Sequence, residues 1–186
     1  ISDEIYHGIE YEKKTHSMLN FGKQTIVVNS FSKYFCMPGW RLGWVIIPKP
    51  LRDNFLKLSQ NLFISSGNIA QYSALKVFEC LKELNDLVKI YQSTRNQVDQ
   101  ILNKIPVINF TKPEGSFYFY IDIKKTNLDS FEFVNKLMHE TGVVLTPGVD
   151  FDKKNGKSTV RLSFSSKQDM VLEATEILYN WFKKNY

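Results

Sequence analysis

The stretch NSFSKYFCMPGWRLGW, residues 29–44, decides how the chain is read. It follows the short apolar run TIVV (25–28) and leads into another, VII (45–47). Ser30, Ser32 and Lys33 stand where the first run ends, and Arg41 stands eight residues beyond the lysine. In parallel α/β sheets ligands bind beyond the carboxyl ends of the strands. A hydroxyl and a guanidinium at such an end suit a phosphate, because arginine meets phosphate oxygens with a two-pronged fork. A lysine sheltered among apolar and aromatic neighbours can lose its proton and form a Schiff base.

Working outward, Asp3 and Tyr6 follow another strand-like run at the start of the sequence. Asp3 could keep a heteroaromatic nitrogen protonated, and the Tyr6 phenol could donate to a ring oxygen. Each residue also has an ordinary role. A serine at a strand end is commonly a turn residue, a lone lysine is solvated, and a lone arginine is commonly a structural ion pair. Asp3 beside Glu4 would pass for an acidic loop. The argument therefore rests on the set.

The chain has 186 residues, 43% of them hydrophobic, enough for one sizeable core or two small ones. Fourteen Phe, nine Tyr and three Trp point to a packed globular protein. The net charge of +5 comes from scattered lysines, with no dense basic run and no interleaved aromatic motif, so nucleic acid is not an expected partner. No apolar stretch reaches membrane-spanning length, so no membrane is expected either. The two cysteines, Cys36 and Cys80, have no framework spacing and read as reduced thiols in the cytoplasm. ISDEIY opens inside a strand-like run without an initiator Met, which reads as the C-terminal part of a longer chain.

Element patterns give strands over 1–5, 25–29 and 42–47. A helix over 51–63 carries Leu51, Phe55, Leu58 and Leu62 at helical spacing, and a second, over 68–81, is capped by Asn68. A long amphipathic segment runs from about 83 to 105, where Pro106 breaks it. A strand over 115–123 follows, then a helix over 130–141 with Asp129 as its cap and Gly142 as its stop. VVLTPG makes a short strand and turn, 158–163 a strand, and 167–183 the last helix. This is an α/β pattern: the end of a large parallel-sheet domain over 1–96, then a small α+β domain over 97–186.

Asp3-Glu4-Ile5-Tyr6, Ser30-Phe31-Ser32-Lys33 and Gly39-Trp40-Arg41-Leu42-Gly43 together resemble the class I/II aminotransferases, the fold type I enzymes that use pyridoxal 5′-phosphate (PLP). PEGSFYFYIDI, VVLTPGVDF and VRLSF extend the resemblance along essentially the whole chain. It implies that Lys33 is the catalytic lysine and that Asp3 pairs with the pyridine nitrogen. Tyr6 would bond the ring hydroxyl, Ser30 and Arg41 the phosphate, and Arg161 the substrate α-carboxylate. The Asp122 carboxylate is the alternative partner for Arg161. The implied activity is amino transfer between an amino acid and a 2-oxo acid, in a homodimer, with no metal. Other fold type I chemistries (lyase, decarboxylase, acyltransferase) and the PLP-sensing domain of a transcription regulator are the alternatives. The family's phosphate loop, ring-stacking aromatic and supporting asparagine are not in this stretch, which alone is expected to be inactive. Where many relatives have Phe-Gly after the Pro-Gly turn, Phe151 is here followed by Asp152.

Overall fold

The computed structural model describes residues 1–186. They form two compact units, Ile1–Val88 and Lys89–Tyr186. The division falls inside the helix that the sequence reading uses as its connector, where that reading drew the boundary after residue 96.

In the first unit, β1 (Ser2–Asp3) runs parallel to β2 (Val27–Ser30), and β3 (Gly43–Ile46) returns antiparallel to β2. Val27 is buried between its neighbours, as the apolar run requires. Helices α1 (Arg52–Leu62) and α2 (Asn68–Val77) follow. Two local expectations are corrected here. Asn68 does not cap α2: it is the first helical residue, and Gly67 precedes it without any side-chain cap. The periodic stripe of α1 has no fully buried residue, with Leu58 59% and Leu62 68% exposed. Periodicity reports which residues share a face, and not whether that face is covered.

Helix α3 (Leu81–Leu102) buries Leu84, Thr94, Arg95, Val98, Ile101 and Leu102 at helical spacing. The buried Arg95 donates from Nη1 to the Pro113 carbonyl and from Nη2 to Asn96 Oδ1, both at 2.8 Å.

The second unit is built on an antiparallel sheet in the order β4-β5-β7-β6: β4 is Asn109–Phe110, β5 Tyr118–Asp122, β6 Thr146–Pro147 and β7 Thr159–Ser163. Both long strands are shorter than their apolar runs. Ser116 takes a left-handed conformation (φ 61°) ahead of β5, and Ser158 ends a 3-10 turn ahead of β7. Side chains alternate across the sheet. One face, with Phe119, Ile121, Val160 and Leu162, is buried. Phe133 and Leu137 of α4 (Ser130–Thr141) and Leu178, Trp181 and Phe182 of α5 (Gln168–Asn185) complete that core. Phe133 meets the Trp181 ring edge-on at 5.4 Å, a geometry that aromatic quadrupoles favour.

Helix α4 begins and ends where its sequence says. Asp129 accepts from the Phe131 and Glu132 N–H groups, and Glu132 reaches back to the Asp129 N–H, a complete capping box. Gly142, at φ 77°, closes the helix by donating its N–H to the Met138 carbonyl.

Candidate active site

Strand register brings most of the singled-out residues of the first unit to one edge. Asp3, at the end of β1, pairs with Val28, and β2 ends at Ser30, so the carboxyl ends of these parallel strands coincide. Because β3 is antiparallel and starts with Gly43 opposite Ser30, Arg41 approaches the same edge. Asp3, Ser30, Lys33 and Arg41 are thus gathered beyond the strand ends, with Tyr6 in the turn that follows β1. The Lys33 Nζ lies 5.9 Å from the centre of the Tyr6 ring, within reach of cation–π attraction.

The local backbone holds these groups in place. Asp3 Oδ1 accepts from the Ile5 N–H at 3.1 Å, and Ser30 Oγ accepts from the Ser32 N–H at 2.9 Å. Both are side-chain turns that leave a second carboxylate oxygen and a hydroxyl proton for other partners. Lys33 sits in a turn closed by the Cys36 N–H on the Lys33 carbonyl, and Phe31 bonds Leu42 and Met37 on either side of the loop. Phe31 and Phe35 of the loop pack edge-on or tilted against each other, Trp44 and Phe78, with ring centres 5.0 to 6.3 Å apart. Tyr34 ties the loop to α3 by donating to Asn85 Oδ1 at 2.8 Å.

Arg41 occupies the left-handed region at φ 51°, which disfavours side chains bearing a Cβ. Its Nη1 donates to the Pro38 carbonyl at 2.8 Å, which fixes the guanidinium while leaving other donors of its fork. Cys36 is exposed, yet desolvation by its neighbours raises its thiol above the ordinary range, so it is protonated at neutral pH. Burial works against the charge on Glu4, next to Asp3. Hydrogen bonds from the Met18 N–H and the Ser17 and Ser2 hydroxyls outweigh it, and with the nearby His7 they hold the Glu4 carboxyl below its ordinary value.

In the second unit, Arg161 lies in the centre of the sheet, opposite Tyr120 on β5 and Thr146 on β6. Its face carries Tyr118, Tyr120, Thr146 and Thr159. The guanidinium carbon is 4.3 Å from the centre of the Tyr118 ring and 4.8 Å from that of Phe151. Nη2 donates to Thr146 Oγ1 at 3.4 Å, and the buried Nε has no partner. An ion pair with Asp122 is not formed, since that carboxylate turns to accept from the Lys124 N–H at 2.8 Å. A buried N–H donor without an acceptor is costly, and a carboxylate ligand would relieve it.

Sequence reasoning missed the neighbours of Arg161. Tyr118 and Tyr120 were within reach, because period-two alternation in YFYID sets them on one face. Thr146 and Phe151 were not, because their approach depends on strand register and on a loop.

The sequence profile of the aminotransferase class I and II family matches residues 1–178. A valine–pyruvate aminotransferase of Mycobacterium tuberculosis is 36% identical over 185 residues, 97% of this chain and 48% of that protein. A (5-formylfuran-3-yl)methyl phosphate transaminase of Methanocaldococcus jannaschii is 38% identical over 99% of this chain and 50% of its own. The crystal structure of an aminotransferase from Mycobacterium tuberculosis superposes with a TM-score of 0.93 at 35% identity, covering 98% of this chain and 48% of that one. The chain thus spans about half the length of the relatives it matches, and over that half its α/β architecture is theirs. With strand-edge residues, sequence profile and architecture in agreement, the chain belongs to the aminotransferase class I and II family.

Proposed function

We propose that the protein is a PLP-dependent transaminase, moving an amino group between an amino acid and a 2-oxo acid. The observation that carries this reading is the gathering of Asp3, Ser30, Lys33 and Arg41 at one edge of the β1–β2–β3 sheet. The donor set fits the cofactor: an amine beside a phenol, a hydroxyl and a guanidinium for a phosphate, and a carboxylate with an oxygen to spare. When bound, PLP supplies an electron sink for the pair released at the substrate Cα.

The chain's own residues do the rest. Ser30 and Arg41 bind the phosphate and fix its position. Asp3 accepts from the pyridine nitrogen and keeps it protonated, while Tyr6 donates its phenol proton to the ring hydroxyl. Lys33 would hold the cofactor by condensing with its aldehyde, releasing water, and its amine, freed when the substrate amine displaces it, would carry a proton between the substrate Cα and the cofactor's C4′. Arg161 orients the α-carboxylate through two parallel N–H donors, which lowers the entropic part of the barrier. The relatives named above are aminotransferases and a transaminase, which supports amino transfer over other PLP chemistries. We place the protein in the cytoplasm, supported by two free, exposed thiols, and assign it a homodimer, supported by the exposed apolar surface around Phe63, Ile64, Ile69 and Tyr72.

Full-length protein given PLP, an amino acid and a 2-oxo acid is expected to produce the matching new pair without releasing ammonia. Lys33→Ala should lower kcat at least about a hundredfold, since proton transfer loses its base. Ammonia release in place of amino transfer would assign different chemistry, and an unaffected kcat would remove Lys33 from the reaction.

A further inference from the structure

The loop between β6 and β7 is fastened to the sheet through Tyr120 and through Thr159, whose Oγ1 also lies 3.2 Å from the Asn155 carbonyl. Tyr120 donates to Asp152 Oδ2 at 3.1 Å and accepts from Thr159 Oγ1 at 2.6 Å, which makes a chain from threonine through phenol to carboxylate. Asp152 in turn caps its own loop, with Oδ1 accepting from the Lys154 and Asn155 N–H groups at 2.8 and 2.9 Å. The Asp152 N–H and the Phe151 N–H both reach the Gly148 carbonyl. A Cβ on Gly148 would lie 2.1 Å from Thr159 Oγ1, so loop and strand approach as closely as backbone allows. The residue this fastening places against Arg161 is Phe151, whose ring also leans on Tyr120 at 5.8 Å between centres.

We propose that Phe151 is a positioning residue for Arg161, held in place by the Thr159–Tyr120–Asp152 hydrogen-bond chain, and that this loop thereby sets the affinity for the substrate carboxylate. The inference rests on the reading of Arg161 as the carboxylate ligand. A guanidinium binds a carboxylate with two parallel N–H bonds only in one plane, and a side chain left to rotate forfeits that geometry. No carboxylate holds Arg161, so the ring faces of Tyr118 and Phe151 and the Thr146 hydroxyl are what restrain it. Of these, Phe151 is 45% exposed on a loop, and it keeps its place through the bonds that Asp152 and Tyr120 make. The hydrogen bonds that Asp152 accepts from Asn155 and Lys154 hold its carboxyl below the ordinary range, so it stays a charged acceptor for the Tyr120 proton.

The test uses the full-length holoenzyme and two readouts: KM for a 2-oxo acid, and the inhibition constant of propionate, a carboxylate with nothing to react. Phe151→Leu keeps the apolar bulk and loses the ring, while Tyr120→Phe removes the phenol link to Asp152 and leaves the ring. Each is expected to raise both constants about three- to thirtyfold, the worth of one cation–π contact, while kcat changes several-fold less. Phe151→Tyr should return both constants to within about twofold of the parent, because any aromatic face serves. If Phe151→Leu and Tyr120→Phe leave both constants unchanged while Arg161→Lys raises them, Arg161 binds the carboxylate unaided and the inference is wrong. If Arg161→Lys itself leaves them unchanged, the reading of Arg161 falls and this inference with it. Should Phe151→Leu fail to fold, Tyr120→Phe alone decides.

Discussion

Apart from the buried Arg95, Glu4 and Arg161 carry charge in poorly solvated places, and the chain treats these two in opposite ways. Glu4, only 6% exposed, is given donors, the Met18 N–H at 2.8 Å and the Ser17 hydroxyl at 3.2 Å, with the His7 ring 3.5 Å away. Arg161 is given aromatic faces, one hydroxyl, and a bare Nε. The first is a completed structural site; the second is the one proposed to take the substrate carboxylate. Glu4 also makes a pH prediction. Its carboxyl is held below its ordinary value in the folded chain, so it stabilises the fold fully above that ordinary value, and this contribution is lost as pH falls through the lower, folded pKa. Denaturant melts between about pH 6 and 3 should show acid destabilisation that Glu4→Gln flattens. An identical acid limb in the variant would assign that limb to other carboxylates.

At the scale of elements, Asp129 is the clearest single determinant. Asp129→Ala leaves the Phe131 and Glu132 N–H groups without their acceptor, so it should destabilise the second unit by about 0.5–2 kcal/mol. A thermal melt unchanged within error would show that the helix is held by packing alone. The same helix shows what was legible in the sequence. Its cap and its stop are local signals, and both are where the residues put them. Asn68 was misread because Gly67 and the backbone begin α2 without a side-chain cap. The stripe of α1 was read correctly as a face but not as an exposed one, since coverage depends on what lies opposite. Likewise, Ser30, Lys33 and Arg41 could be named from spacing, whereas their meeting with Asp3 required parallel pairing of β1 with β2 across more than twenty residues. The Tyr120–Asp152 bond, spanning 32 residues, leaves no local trace at all.

For the molecule as a whole, the residues proposed to hold the cofactor fall within Ile1–Val88, and the proposed carboxylate ligand falls within Lys89–Tyr186. The formal net charge is +5, and no helix is long and apolar enough to cross a membrane. The account therefore stands on the strand-edge lysine, and one measurement reaches it directly. The full-length protein, loaded with PLP and reduced with borohydride, is digested and its peptides mapped by mass. The account predicts the pyridoxyl group on Lys33, in the peptide that carries Ser30 and Ser32, and no label in Lys33→Ala. A pyridoxyl group on any other lysine, or its absence from the reduced protein, would contradict the assignment.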